Sequence, residues 1–239
     1  MLFLHGFTGA PSSGSALAAA LNVTFDAPWL VGHGPTPPTA KHFEDEVARI
    51  AGSLDEGPRG VVAYSMGARL GLRLAQRFPT RVRYLVLIGV NPGLESEQAR
   101  AERRADDEAR ARHLEAHGVE AFVAAWEAMP LFGEASLPAS VRQERRRVRR
   151  AHTARGLAAS LRCVGLGAMS PMWPYLSDMK LPIRLLYGER DTKFAALAAR
   201  AAQLAPSAEA VAIANADHDA LLAAPRSVAA VIEGLEGLR

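Results

Sequence analysis

Hydrophobic and polar positions fall along this chain in two alternating kinds of block. Met1 to Leu4, Val61 to Ala63, Tyr84 to Val90, Ile183 to Tyr187 and Ala210 to Ala214 are short, nearly uninterrupted apolar runs of strand length, the pattern expected where both faces of a sheet are covered. Val23 to Phe25 is expected as a further short strand. Between these runs the apolar residues recur at helical spacing: Ser15 to Leu21; Phe43, Val47 and Ile50; Leu70, Leu72 and Leu74, stopped at Phe78-Pro79; Phe194 to Leu204; and Val228 to Leu235. Proline ends the third of these helices by removing a donor and clashing with the preceding turn. Repeated strand and helix alternation predicts a mostly parallel sheet flanked by helices.

From about Leu94 to Leu176 the alternation stops. Charged helical sequence takes over in Glu95 to His117, Val119 to Met129 and Val141 to Val164, which predicts a helical lid inserted into a single domain spanning residues 1–239. The lid contains Arg145-Arg146-Arg147 and Arg149-Arg150. Acidic residues lie nearby and no aromatic residues interleave, so this run reads as a solvated helix face and no nucleic-acid partner is expected.

Composition narrows the picture further. With 239 residues, 49% of them hydrophobic, the chain can bury a full core. The single Cys163 excludes an intramolecular disulfide, and no cysteine cluster has zinc spacing, so no metal is expected. No basic segment precedes the apolar start and no stretch of uncharged apolar residues is long enough to span a bilayer, which predicts a cytoplasmic protein without a membrane anchor. The net charge is +3, and apart from Lys41, Lys180 and Lys193 the basic residues are all arginine. Guanidinium groups bind carboxylates in a planar fork, so a small anionic substrate is compatible with this bias.

The candidate chemistry starts at Gly60 to Arg69, which reads as strand, sharp turn and helix, with Ser65 at the corner between the small residues Ala63 and Gly67. A helix-capping serine is the competing reading of this stretch alone. A serine hydroxyl becomes reactive when a histidine takes its proton and a carboxylate holds that histidine in the right tautomer. In this architecture the order is serine, acid, histidine, with the last two in loops after the final strands. Asp191 follows Ile183 to Tyr187, and His218 follows Ala210 to Ala214, as that order requires. Charge developing on a substrate oxygen needs fixed donors, for which the Met66 and Phe7 amides are placed by the serine corner and by the His5-Gly6-Phe7 loop. His5 reads as structural, and His33 carries little weight for catalysis.

Together these residues resemble the α/β-hydrolase superfamily over essentially the whole chain. A narrower set is similar to the 2-succinyl-6-hydroxy-2,4-cyclohexadiene-1-carboxylate synthases, menaquinone-pathway lyases that expel pyruvate from a polycarboxylated cyclohexene. That set comprises Leu4 to Gly9, Tyr64 to Arg69, Asn91 to Leu94 with Arg103 and Asp107, Phe122 with Trp126 and Phe132, Gly156 to Ala158, and Gly188 to Phe194. The resemblance implies that Ser65, Asp191 and His218 form the triad, and that Tyr64, Arg69, Arg103, Trp126, Phe132, Arg149 and Lys193 line a pocket for the substrate's carboxylates and ring. No cofactor is implied. Against the family pattern the chain begins at what is normally the third strand, so an N-terminal hairpin is expected to be missing; Ala63 and Asp217 stand for glycines and Ser170 for a glutamine. Two chemistries use such a site: a lyase in which Ser65 abstracts a proton, and a carboxylic-ester hydrolase in which Ser65 is acylated. A binding scaffold without catalysis would not need the complete triad.

Overall fold

The computed structural model describes residues 1–35, 39–55, 57–129 and 137–236. Five strands, β1 (Leu2–Leu4), β2 (Arg59–Tyr64), β3 (Val82–Ile88), β4 (Ile183–Gly188) and β5 (Ala208–Ile213), form one parallel sheet in the order of the chain. Between and after them run α1 (Ser15–Leu21), α2 (Phe43–Ser53), α3 (Met66–Arg77), α4 (Glu97–Glu127), α5 (Ala139–Arg150), α6 (Ala154–Val164), α7 (Thr192–Leu204), α8 (Ala220–Ala223) and α9 (Pro225–Glu236).

Successive strand residues point to opposite faces of a sheet, and here both faces are apolar. Leu2, Leu4, Val61, Ala63, Leu85, Leu87 and Leu185 pack with residues of α2, α3 and α7, while Phe3, Val62, Val86, Ile88 and Ile213 pack with α1 and α9. The register sets Leu4 beside Ala63 and Ala63 beside Leu87, which aligns the C-terminal ends of the three central strands. Side chains carried just beyond those ends are thereby gathered along one edge.

Three expectations need correction. Val23 to Phe25 is not a strand: the chain makes one bridge, Leu2 to Asp26, because Asn22 ends α1 in the left-handed conformation and leaves room for a single pairing before Pro28. The run Tyr84 to Val90 begins earlier and stops at Ile88, where Gly89 turns with φ 63°. Val141 to Val164 is two helices, because the Thr153 hydroxyl accepts the Gly156 N–H and starts α6 afresh. The expected break between His117 and Val119 is present as a kink at Gly118, φ 80° and ψ 175°, inside α4.

The connection from β3 to β4 carries α4, α5 and α6, of which α4 and α6 are joined through Ala111, Leu114, Phe122, Leu157 and Leu161. Cys163 and Val164 of α6 join the main core, and a glycine pair brings the start of α6 against the loop after β1. A Cβ on Gly32 would fall 2.1 Å from the Gly156 carbonyl oxygen, and one on Gly156 would fall 2.5 Å from that of Gly32. Among the described residues no helix is long and apolar enough to cross a membrane.

Candidate active site

Ser65 joins β2 to α3 with φ 52° and ψ −107°. A non-glycine residue held there costs of the order of 1–3 kcal/mol and persists only when its surroundings impose it. Here the Ser65 N–H donates to the Ile88 carbonyl at 2.8 Å, and α3 presses so close to β1 that a Cβ on Gly67 would lie 2.2 Å from the Leu4 oxygen. The turn therefore lifts the hydroxyl away from the strand.

His218 meets that hydroxyl. Its Nε2 is 3.0 Å from Ser65 Oγ, and its Nδ1 is 3.0 Å from Asp191 Oδ2. A carboxylate only accepts, so Nδ1 carries the proton and the Nε2 lone pair faces the serine. The Asp191 side chain is divided between two tasks, since its Oδ1 caps α7 by accepting the Phe194 N–H at 3.2 Å. The imidazole is buried between the Phe194 ring, 4.4 Å away, and Gly89, where a Cβ would come within 2.6 Å of Cε1.

Ser65 and His218 open into a cavity of about 200 Å³ that is also lined by Phe7, Tyr64, Met66, Arg69, Arg103, Trp126, Arg149 and Lys193. Of the residues expected to line it, Phe132 alone lies outside the described residues. Trp126 packs edge-on to Phe7 at 5.3 Å and stacks on Phe122. Arg110, not anticipated from the sequence, completes the wall. Buried Asp107 gathers Arg103 and Arg110, accepting from Arg103 Nε at 2.9 Å and from Arg110 Nη1 at 3.1 Å. Arg149 donates to Glu127 at 3.2 Å. Arg69 differs: it donates to the Val164 carbonyl at 2.8 Å and has no ion pair with a carboxylate among the described residues. Burial and the neighbouring Arg103 pull its guanidinium down to about 9, partly offset by Asp107.

The alpha/beta hydrolase family matches residues 1–231. The chain belongs to that family. It is 32% identical over 228 residues to the 2-succinyl-6-hydroxy-2,4-cyclohexadiene-1-carboxylate synthase of Salmonella agona, covering 92% of this chain and 86% of the relative. It is 31% identical over 206 residues to the synthase of the same name from Klebsiella pneumoniae, covering 83% and 80%. The solved structure of MenH from S. aureus superposes with a TM-score of 0.92 at 28% identity, covering 99% of this chain and 92% of that one.

In this alpha/beta hydrolase the loop that carries the Phe7 amide is held by three buried histidines. The Gly6 carbonyl, in the same peptide unit as the Phe7 N–H, accepts from His5 Nδ1 at 2.9 Å and from the Gly9 N–H at 3.0 Å. The Thr8 N–H donates to His33 Nε2 at 3.0 Å, and the Thr8 carbonyl accepts from His152 Nε2 at 3.1 Å. The remaining nitrogens meet Leu30 N–H, the Val31 carbonyl and Gly34 N–H. Burial holds all three rings below the usual histidine range, His5 at about 4.

The arginine-rich run also needs correction. Arg146, Arg147 and Arg150 are exposed as expected, but Arg149 is buried in the cavity wall and the Arg145 side chain turns inward onto Asp219. Residues four apart share a helix face, a signal already present in the sequence. Ser170 is exposed and does not line the cavity.

Proposed function

We propose that this hydrolase-family chain is a 2-succinyl-6-hydroxy-2,4-cyclohexadiene-1-carboxylate synthase, a lyase that removes pyruvate from a polycarboxylated cyclohexene. The observation that carries the reading is Arg69: a buried guanidinium one helical turn past Ser65, in the same cavity, with no carboxylate of its own among the described residues. A substrate carboxylate supplies the missing counter-charge, and Arg103, Arg110, Arg149 and Lys193 surround the space for others. A neutral ester gains nothing from five cations.

In this mechanism Asp191 fixes the His218 tautomer and His218 takes the Ser65 proton. The serine oxygen then removes the proton next to the succinyl ketone. Negative charge passes to the ketone oxygen, where the Phe7 and Met66 amides receive it. The electrons return to form the new ring double bond, the carbon–oxygen bond breaks, and the departing enolate takes a proton to become pyruvate. The helices between β3 and β4 act as the lid that keeps water from this sequence of steps.

The test is release of pyruvate from the pathway substrate, followed with lactate dehydrogenase. Arg69→Ala and Arg103→Ala are each expected to lower kcat/KM by roughly a hundredfold, since a charge-assisted hydrogen bond contributes about 1.5–3 kcal/mol. A neutral short-chain ester should be cleaved, if at all, at a rate indifferent to both changes. Absence of pyruvate release rejects the lyase, and equal losses on charged and neutral substrates reject the carboxylate clamp.

A further inference from the structure

We propose that Asp219 is a specificity-determining positioning residue: it takes the one hydroxyl proton of Tyr64 and is held in place by Arg145 of α5, so that Tyr64 meets the substrate as a hydrogen-bond acceptor. The inference rests on the lyase reading and deepens it. Tyr64 precedes Ser65 and Asp219 follows His218, so the two reactive loops are joined a second time beside the Ser65–His218 contact. The Tyr64 hydroxyl lies 2.6 Å from Asp219 Oδ1, and Arg145 forms an ion pair with Oδ2. Both charged side chains are almost wholly buried, at 4% exposure for Asp219 and 9% for Arg145.

The chemistry follows from counting protons. A phenol has one donor and two lone pairs, and an ionised carboxylate can only accept. With its proton committed to Asp219, Tyr64 offers only lone pairs elsewhere. Burial and Asp219 both raise the phenol well above its ordinary range, against the pull of Arg149 and Arg145, so it stays protonated. The Tyr64 ring cannot easily turn away, because it lies against Gly6, where a Cβ would come within 2.8 Å of the ring. It forms part of the wall between the Ser65 cavity and a second cavity of about 370 Å³ beneath α5, bordered by Val148, Leu221 and the Arg145–Asp219 pair.

This arrangement sorts the groups of a substrate. A ring hydroxyl can donate to the Tyr64 oxygen. A carboxylate in that place would meet only lone pairs on the Tyr64 oxygen, and finds donors instead in the guanidinium groups of Arg69, Arg103 and Arg149 that line the same cavity. Tyr64 thus selects a hydroxyl where a lone tyrosine would accept either group.

A double-mutant cycle between Asp219→Asn and Tyr64→Phe tests this, read by kcat and KM for pyruvate release and by urea unfolding. The amide can donate to the phenolic oxygen, which the carboxylate cannot, and so releases the phenol's proton. Asp219→Asn should raise KM about tenfold with kcat changed less than about threefold, the size of one neutral hydrogen bond. In the Tyr64→Phe background the same change should alter KM by less than about twofold, because the group through which it acts is gone. Arg145→Gln, alone and with Tyr64→Phe, carries the same cycle should Asp219→Asn fail to fold. Coupling in unfolding with additive effects on KM would make Asp219 a structural brace and overturn the proposal, as would additivity in both measurements. If the unmodified protein releases no pyruvate, the lyase reading falls and this proposal with it, whereas pyruvate release with additive effects on KM overturns this proposal alone.

Discussion

Four buried histidines lie near the loop that carries the Phe7 amide and near Ser65, and they divide by the kind of atom each nitrogen meets. His5, His33 and His152 crowd edge to edge, with ring centroids 4.9 Å and 5.1 Å apart, and their six nitrogens all face main-chain groups. His218 faces two side chains, Ser65 and Asp191. A lone pair filled by an amide N–H is spent, because an amide does not surrender its proton near neutral pH. A lone pair filled by a hydroxyl can receive that proton. The residue type is the same; the partner decides whether the ring braces the backbone or, as proposed here, serves as a base.

The largest expected effect breaks the second class. His218→Gln should lower kcat for pyruvate release by about a thousandfold or more while the Tm stays within a few degrees, as triad losses do. A comparable kcat loss on removing a bracing histidine would erase the distinction.

Acid sharpens it. His5 is held at about 4 when folded against 6.5 for the free side chain, and His33 and His152 are also lowered. As the pH falls below 6.5 the unfolded chain takes up protons that the folded chain refuses. Stability present above pH 6.5 is therefore lost progressively down to about 4, by about 3 kcal/mol from His5 alone. Urea midpoints at pH 7, 5.5 and 4.5 measure this, and His5→Gln should flatten the trend.

Smaller effects follow within the cluster. His33→Phe leaves the Thr8 N–H without its acceptor, which should cost about 1–3 kcal/mol and, in the proposed mechanism, where the Phe7 amide acts on charge present only in the transition state, lower kcat with little change in KM. His152→Gln can still donate to the Thr8 carbonyl and accept from Gly34, and should cost less than about 1 kcal/mol. A larger loss in His152→Gln than in His33→Phe, by thermal unfolding, would show that contacts between the rings matter more than their backbone bonds.

The sheet and the Ser65, Asp191 and His218 constellation were legible because they depend on local periodicity and on order along the chain. Gly89 was hidden inside an apolar run that reads as strand through Val90, although a glycine in Ile-Gly-Val was the available sign of a turn. Arg110 shares a helix face with Asp107 and could have been found by spacing. The Asp219–Arg145 pair could not, because 74 residues separate the partners and only the folded connection brings α5 over the histidine loop. Val23 to Phe25 has strand composition but, among the described residues, no strand paired along its length, and composition does not report pairing partners.

Gly32 and Gly156 have a consequence for inheritance. Each occupies the space a Cβ on the other side would need, and every amino-acid change from glycine adds at least one carbon. The obstructing atoms are main-chain carbonyl oxygens, so neither position can drift, alone or together, and the footing of the helices between β3 and β4 should stay fixed in random libraries while Gly52 and Gly234, with open space around them, accumulate substitutions freely. Helices borrowed from a relative to replace those between β3 and β4 will therefore seat only if they bring a glycine to the position of Gly156.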